Sequence, residues 1–318
     1  MSLPPGTGYH SRRQFLTATT SGLLGLTLAR HLPAEQAGSK LHSKLTGHLV
    51  HQLALCSAAA YQPKAITDYA NWKSTSAELL GEPFAAPEED IRGFVARHEF
   101  GHVIAFRGTV LTQKKNLKSD LAFGPVSIDP QDTCKVHKGF HLCYCAVKEQ
   151  LQAILKKFKP RRLMITGHSL GGALALLAAN DLQAEYPNLI VCTFGQPRVG
   201  DKALSQRFKG RLYRFINDFD PIPHIPILNH YIQFGESVWF DQHQHVSSKR
   251  AMGVRLALES ATLIKELRDL EPEESLSDFA KRKGAAGGKK LVAAILNHRL
   301  DGETGYLAAL RKNLNEEY

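Results

Sequence analysis

The chain has 318 residues, 43% of them hydrophobic and 22% charged, with a net charge of +10. That length supports one large domain with a substantial core, and the composition excludes low-complexity and disulfide-stapled mini-protein classes. The lysines and arginines are scattered, and the short clusters Lys114-Lys115 with Lys118 and Lys281-Arg282-Lys283 carry no interleaved aromatics, so no nucleic-acid partner is expected.

In chain order, the first feature is an address. Ser11-Arg12-Arg13-Gln14-Phe15-Leu16 precedes a small, apolar stretch from Thr17 to Ala29, a charged region before a short hydrophobic one. The pattern resembles a bacterial twin-arginine signal. Cleavage is expected after Ala29, Ala34 or Ala37, leaving residues 1–38 as signal and disordered leader. Export to the periplasm or the medium follows, with membrane association if the signal stays uncleaved. The stretch is too short and too polar for a comfortable span, which needs about 20 residues.

Apolar spacing predicts a helix over Lys40–Tyr61, ended by Pro63, then an irregular stretch over 64–89. Two strands, Gly93–Arg97 and Gly101–Phe106, are followed by a polar loop to Val136 and a helix over 139–158. Short apolar strands at 163–166, 189–194 and 213–216 alternate with helices, one of them over Gly172–Glu185. Strands apolar on both faces between helices argue for a mainly parallel central sheet covered by helices on both faces. A charged amphipathic helix over 250–270, a mobile insertion continuing to about 290 and a last helical pair to Leu314 complete the expected domain over residues 39–318.

One turn carries chemistry. Gly167-His168-Ser169-Leu170-Gly171 sits between a short apolar strand and an Ala/Leu-rich helix. A sharp strand-to-helix turn demands small flanking residues, lifts the serine to the carboxyl edge of the sheet, and places it at a helix N-terminus. Such an elbow belongs to the α/β-hydrolase fold, where acid and then histidine follow the serine in the chain. Asp218 and Asp220, past the strand at 213–216, are the acid candidates. His224 and His230 are too near the acid in sequence, and His243, His245 and His298 remain open as the base.

Several ordered segments resemble the class 3, or fungal-type, triacylglycerol lipases. They are Phe106-Arg107-Gly108-Thr109, Val136-His137-Lys138-Gly139-Phe140, the elbow from Thr166 to Ala173, Thr193-Phe194-Gly195-Gln196-Pro197-Arg198-Val199-Gly200 and Asp220-Pro221-Ile222-Pro223. The resemblance covers roughly residues 45–245 and a weaker tail. It implies Ser169 as nucleophile, Asp220 rather than Asp218 as orienting acid, and the backbone N–H groups of Leu170 and Thr109 as oxyanion donors, with the Thr109 hydroxyl beside them. It also implies His298 as base, through His298-Arg299-Leu300-Asp301-Gly302 ahead of Tyr306, although Glu303-Thr304-Gly305 lengthen the gap to the tyrosine. The segment Val110–Lys118 takes the place of the family's lid but is basic and poor in apolar residues.

The implied activity is hydrolysis of acylglycerol esters through an acyl-enzyme, without a cofactor, on a lipid substrate and at a lipid surface. The alternatives on the same residues are a phospholipase A1 or an esterase for soluble short or aromatic acyl esters; a catalytically silent lipid-binding homologue is the remote one. A rival reading takes Cys134, His137, His141 and Cys145 as zinc ligands, but the family segment already accounts for His137, and no metal is expected. Cys192, inside an apolar run, reads as core, and Cys143 and Cys145 lie on different sides of a helix.

Overall fold

The structure is a computed structural model that describes residues 45–62, 65–87, 91–108, 124–129, 131, 133–217, 220–226, 230–247, 282 and 298–318. The expected signal and leader, Thr109, the lid segment 110–118, Asp218 and all of the 250–290 insertion except Arg282 lie outside these residues. The fold below is that of the compact unit Lys44–Tyr318.

This unit opens with helix α1 (Gly47–Ala59), which starts where the Thr46 side chain accepts from Leu49 N at 3.3 Å. A cap of this kind satisfies an N–H for which the helix has no acceptor. Strands β1 (Glu78–Leu79), β2 (Phe84–Ala86), β3 (Ile91–His98) and β4 (Gly101–Phe106) follow, then a small pair β5 (Pro125–Ser127) and β6 (Lys135–His137). Helix α2 (Lys138–Phe158), β7 (Leu163–His168), α3 (Leu170–Leu182), β8 (Ile190–Phe194), α4 (Lys202–Arg207), β9 (Arg211–Asn217), β10 (Glu236–Phe240), β11 (Val246–Ser247) and α5 (Tyr306–Lys312) complete the order.

Strands β4, β7, β8, β9 and β10 are parallel neighbours and form the centre of the sheet. Antiparallel strands extend it at either side, β3 with β1 and β2 next to β4, and β11 next to β10. The region 64–89, expected to be irregular, therefore supplies two edge strands of two and three residues. Runs that short have no readable alternation.

Alternate residues of the central strands feed two cores. On β7, Leu163 and Ile165 face α2 and α3, while Met164 faces α1 and α5. On β8, Val191 takes the first side and Ile190, Cys192 and Phe194 the second. Helices thus cover both faces of a mainly parallel sheet, an α/β-hydrolase arrangement in which β7 and β8 are buried on both faces. Among the described residues no helix is long and apolar enough to cross a membrane.

Candidate active site

Ser169 ends β7 and caps α3 with φ 57° and ψ −127°. A residue with a Cβ pays roughly 1–3 kcal/mol for such a conformation, so the surrounding structure must enforce it. Gly167 shows how: a Cβ there would sit 2.2 Å from Gly171 O, so the strand end and the first helical turn touch through a position with no side chain. The helix begins at Leu170, two residues earlier than its sequence periodicity suggests, because the turn is as short as the chain allows. Leu170 thereby carries one of the first-turn N–H groups for which the helix has no acceptor.

Three residues distant in sequence meet at this edge of the sheet. His298 Nε2 lies 2.9 Å from Ser169 Oγ, and His298 Nδ1 lies 2.9 Å from each carboxylate oxygen of Asp220. Asp220 is fully buried, with His298 at 2% and Ser169 at 6% exposure, so the chain of hydrogen bonds works where water screens little. A carboxylate only accepts; His298 therefore donates from Nδ1 and leaves Nε2 free to accept from the serine hydroxyl.

The carboxylate is held on all sides. Asp220 Oδ1 accepts from Ile222 N at 2.9 Å, and Tyr306 donates to Oδ2 at 2.5 Å. Tyr306 Oη in turn accepts from Asn217 N at 3.1 Å, at the end of β9. Burial, and then the Asp220 charge, push the Tyr306 phenol well above its usual range, so it stays a donor. Gly195, with φ +61°, lies beneath the pair: a Cβ there would meet Asp220 Oδ2 at 2.7 Å and His298 Nδ1 at 3.1 Å.

The residues between His298 and Tyr306 are taken up by a turn. Asn217 Nδ2 donates to Thr304 O at 2.7 Å, and Gln244 Nε2 donates to Glu303 O at 2.6 Å. The longer gap read in the sequence thus leaves both His298 and Tyr306 on Asp220.

The other candidates sit elsewhere. His243 and His245 are exposed on the turn before β11. Burial lowers His224 to about 4, and its ring lies 6.0 Å from that of Trp239. His230 is exposed. Cys134 and Cys143 are buried and Cys145 is exposed. His137 caps α2 by accepting from Phe140 N at 3.5 Å, and its ring lies 4.2 Å from that of Phe140. Among the described residues no group of three or more His, Cys, Asp or Glu could hold a metal ion.

Sequence reasoning missed Tyr61, Asn217 and the second role of His168. Tyr61 Oη lies 2.8 Å from His168 Nδ1, and His168 Nε2 lies 2.6 Å from His298 O. Tyr61 and His168 are 107 positions apart, and no periodicity or motif links them.

Comparison with known proteins agrees with this geometry. The family model described as Lipase (class 3) matches residues 103–230. The lipase of Rhizomucor miehei is 38% identical over 165 residues, 47% of this chain and 45% of that protein. The secreted mono- and diacylglycerol lipase A of Penicillium cyclopium is 32% identical over 145 residues, 43% of this chain and 47% of that protein. The match thus spans less than half the length of these two relatives. The solved structure of the Rhizomucor miehei triacylglyceride lipase aligns with a TM-score of 0.53 and 30% identity, covering 62% of this chain and 82% of that one. With a class 3 lipase model matching residues 103–230 and 30% identity to a lipase structure of which 82% is covered, the chain belongs to the class 3 lipase family.

Proposed function

We propose that this chain is a serine carboxylic ester hydrolase, a lipase acting on acylglycerol esters. The single observation that carries the reading is the unbroken hydrogen-bond chain from Ser169 Oγ through His298 to Asp220. A serine hydroxyl is a poor nucleophile until a base takes its proton, and a histidine serves only in the tautomer that a carboxylate holds.

Ser169 attacks the ester carbonyl while His298 takes its proton. His298, now an imidazolium facing Asp220, returns the proton to the departing alcohol. Water repeats the sequence on the acyl-enzyme and frees the acid. Charge on the carbonyl oxygen is met by the N–H groups of Leu170 and Thr109, the latter with its hydroxyl. One such donor is worth about 3 kcal/mol to the transition state. No cofactor takes part.

The substrate class is supported by family membership and by the activities of the relatives, a lipase and a mono- and diacylglycerol lipase. The Penicillium relative is a secreted protein, which supports export of this chain as well. The route is the twin-arginine signal around Arg12-Arg13, with residues 1–38 as leader, 39–318 as the hydrolase domain and 250–290 as an insertion in it.

Turnover of emulsified triolein, phospholipid vesicles and soluble p-nitrophenyl esters by the purified protein tests the substrate class. Highest turnover on the triacylglycerol emulsion is expected. Hydrolysis of the vesicles alone would make the enzyme a phospholipase A1, and hydrolysis of the soluble esters alone would make it an esterase.

A further inference from the structure

Tyr61 follows the end of α1 by two positions, and its hydroxyl reaches His168 Nδ1 at 2.8 Å. On the far side of that ring, His168 Nε2 lies 2.6 Å from the carbonyl oxygen of His298. A carbonyl can only accept, so the proton sits on Nε2 and Nδ1 is the acceptor. The direction of the chain is thereby fixed: Tyr61 O–H donates to His168, and His168 N–H donates to the backbone of His298. The imidazole rings of His168 and His298 lie 4.7 Å apart. Gly108 closes over the hydroxyl, since a Cβ there would meet Tyr61 Oη at 2.3 Å, His168 O at 2.4 Å and Ser169 Cβ at 3.2 Å.

We propose that Tyr61 and His168 are a positioning pair, which holds the backbone of His298 in place and keeps a neutral imidazole beside it. The proposal rests on the reading of Ser169 and His298 as nucleophile and base. The carbonyl that His168 binds ties the backbone of His298 to the end of β7. A shift there displaces Nε2 from Ser169 Oγ directly.

Neutrality matters because His298 becomes cationic when it takes the serine proton. Burial, and then repulsion by His298, hold His168 well below the ordinary imidazole range. The groups facing it are Tyr61, His298 and the ring of Tyr306 at 6.0 Å; Arg107 and Asp301 act on Tyr61, and Asp220 lies beyond His298. Without the Tyr61 hydroxyl, the ring loses the hydrogen bond that favours its neutral form, and protonation becomes easier. The second cation would then oppose the imidazolium of the transition state, more strongly as the pH falls.

The test is kcat and KM on a soluble p-nitrophenyl ester between pH 5.5 and 9 for the wild type, Tyr61→Phe, His168→Gln and His168→Leu, with thermal unfolding as the check on folding. Tyr61→Phe is expected to lose about tenfold in kcat at neutral pH, with KM unchanged and the loss deepening toward acid. His168→Gln, whose amide can still donate to His298 O, is expected to keep more of kcat than His168→Leu. Wild-type kcat in Tyr61→Phe, a loss that is flat with pH, or a Gln variant no better than the Leu variant would overturn the pair. A wild-type protein that neither hydrolyses the ester nor reacts with a fluorophosphonate at Ser169 would instead overturn the underlying reading.

Discussion

Tyr306 donates its hydroxyl hydrogen to Asp220 at 2.5 Å while accepting from Asn217 N at 3.1 Å, so one phenol joins the last helix, the end of β9 and the buried Asp220 carboxylate. Tyr306→Phe removes both bonds and leaves the buried Asn217 N–H without its acceptor. An orphaned buried donor costs about 1–3 kcal/mol. Urea unfolding should register that loss, and kcat should fall about tenfold as the carboxylate loses its clamp. A variant as stable and as active as the wild type would mean that the phenol only fills space.

Asp220→Asn keeps the shape and changes the tautomer. Ile222 N and Tyr306 Oη donate to different oxygens of Asp220, so the one oxygen of Asn keeps only one of these bonds and its NH2 group takes the other position, 2.9 Å from His298 Nδ1. That forces the proton of His298 to Nε2, where it cannot accept from Ser169. A loss of about 10⁴-fold in kcat is expected, with folding intact, as a wrong-tautomer triad gives. Active-site kinetics alongside circular dichroism would check it; a loss of less than tenfold would contradict the assigned role of the acid.

The strain at Ser169 can be measured separately from its chemistry. Ser169→Ala and Ser169→Gly both remove the nucleophile, but only glycine relaxes φ 57° and ψ −127°. Relief of roughly 1–3 kcal/mol, set against glycine's entropic cost of about 0.5–1 kcal/mol, should make the Gly variant the more stable by about 1 kcal/mol. Equal urea midpoints would show that the elbow stores no strain.

The buried histidines His137, His168 and His224 are expected to make the fold less stable in acid. Burial lowers His137 and His224 from 6.5 to about 4 and His168 well below 6.5. The unfolded chain therefore binds more protons than the native one as the pH drops below 6.5, and unfolding is favoured over that window. Stability is fully present above about pH 6.5 and lost as the pH falls toward 4, by on the order of 2 kcal/mol per histidine at pH 5. Urea midpoints at pH 7.5 and 5 should differ accordingly, and His224→Gln should shrink the difference. Identical midpoints would show that these imidazoles are not held neutral.

The choice of base is open to direct substitution. His298→Ala should abolish ester turnover, whereas His243→Ala and His245→Ala, on exposed positions, should leave it within about twofold. Loss of turnover in either of the latter two, with His298→Ala active, would move the base to that turn.

Much of the fold was legible because the central strands are buried on both faces and read as continuous apolar runs, as Leu163–Ile165 and Ile190–Phe194 do. The elbow was legible because its sterics demand Gly167 and Gly171 around Ser169. Edge strands of two or three residues, such as Glu78–Leu79, carry too little pattern to be seen. The choice among Asp218 and Asp220, and among His243, His245 and His298, could not come from periodicity. It depends on which loop ends the sheet topology brings together, and family segments supplied that information. The Tyr61–His168 link had no local sign at all: it exists only because α1 packs on β7.

The most direct measurement is labelling of the folded protein with a fluorophosphonate, followed by mass-spectrometric location of the adduct. A serine activated by His298 and Asp220 should take up one equivalent at Ser169, in step with the loss of ester hydrolysis, while Asp220→Asn should react far more slowly. Active enzyme whose Ser169 stays unlabelled, or labelling at another serine that abolishes activity, would contradict the assignment of Ser169 as the nucleophile.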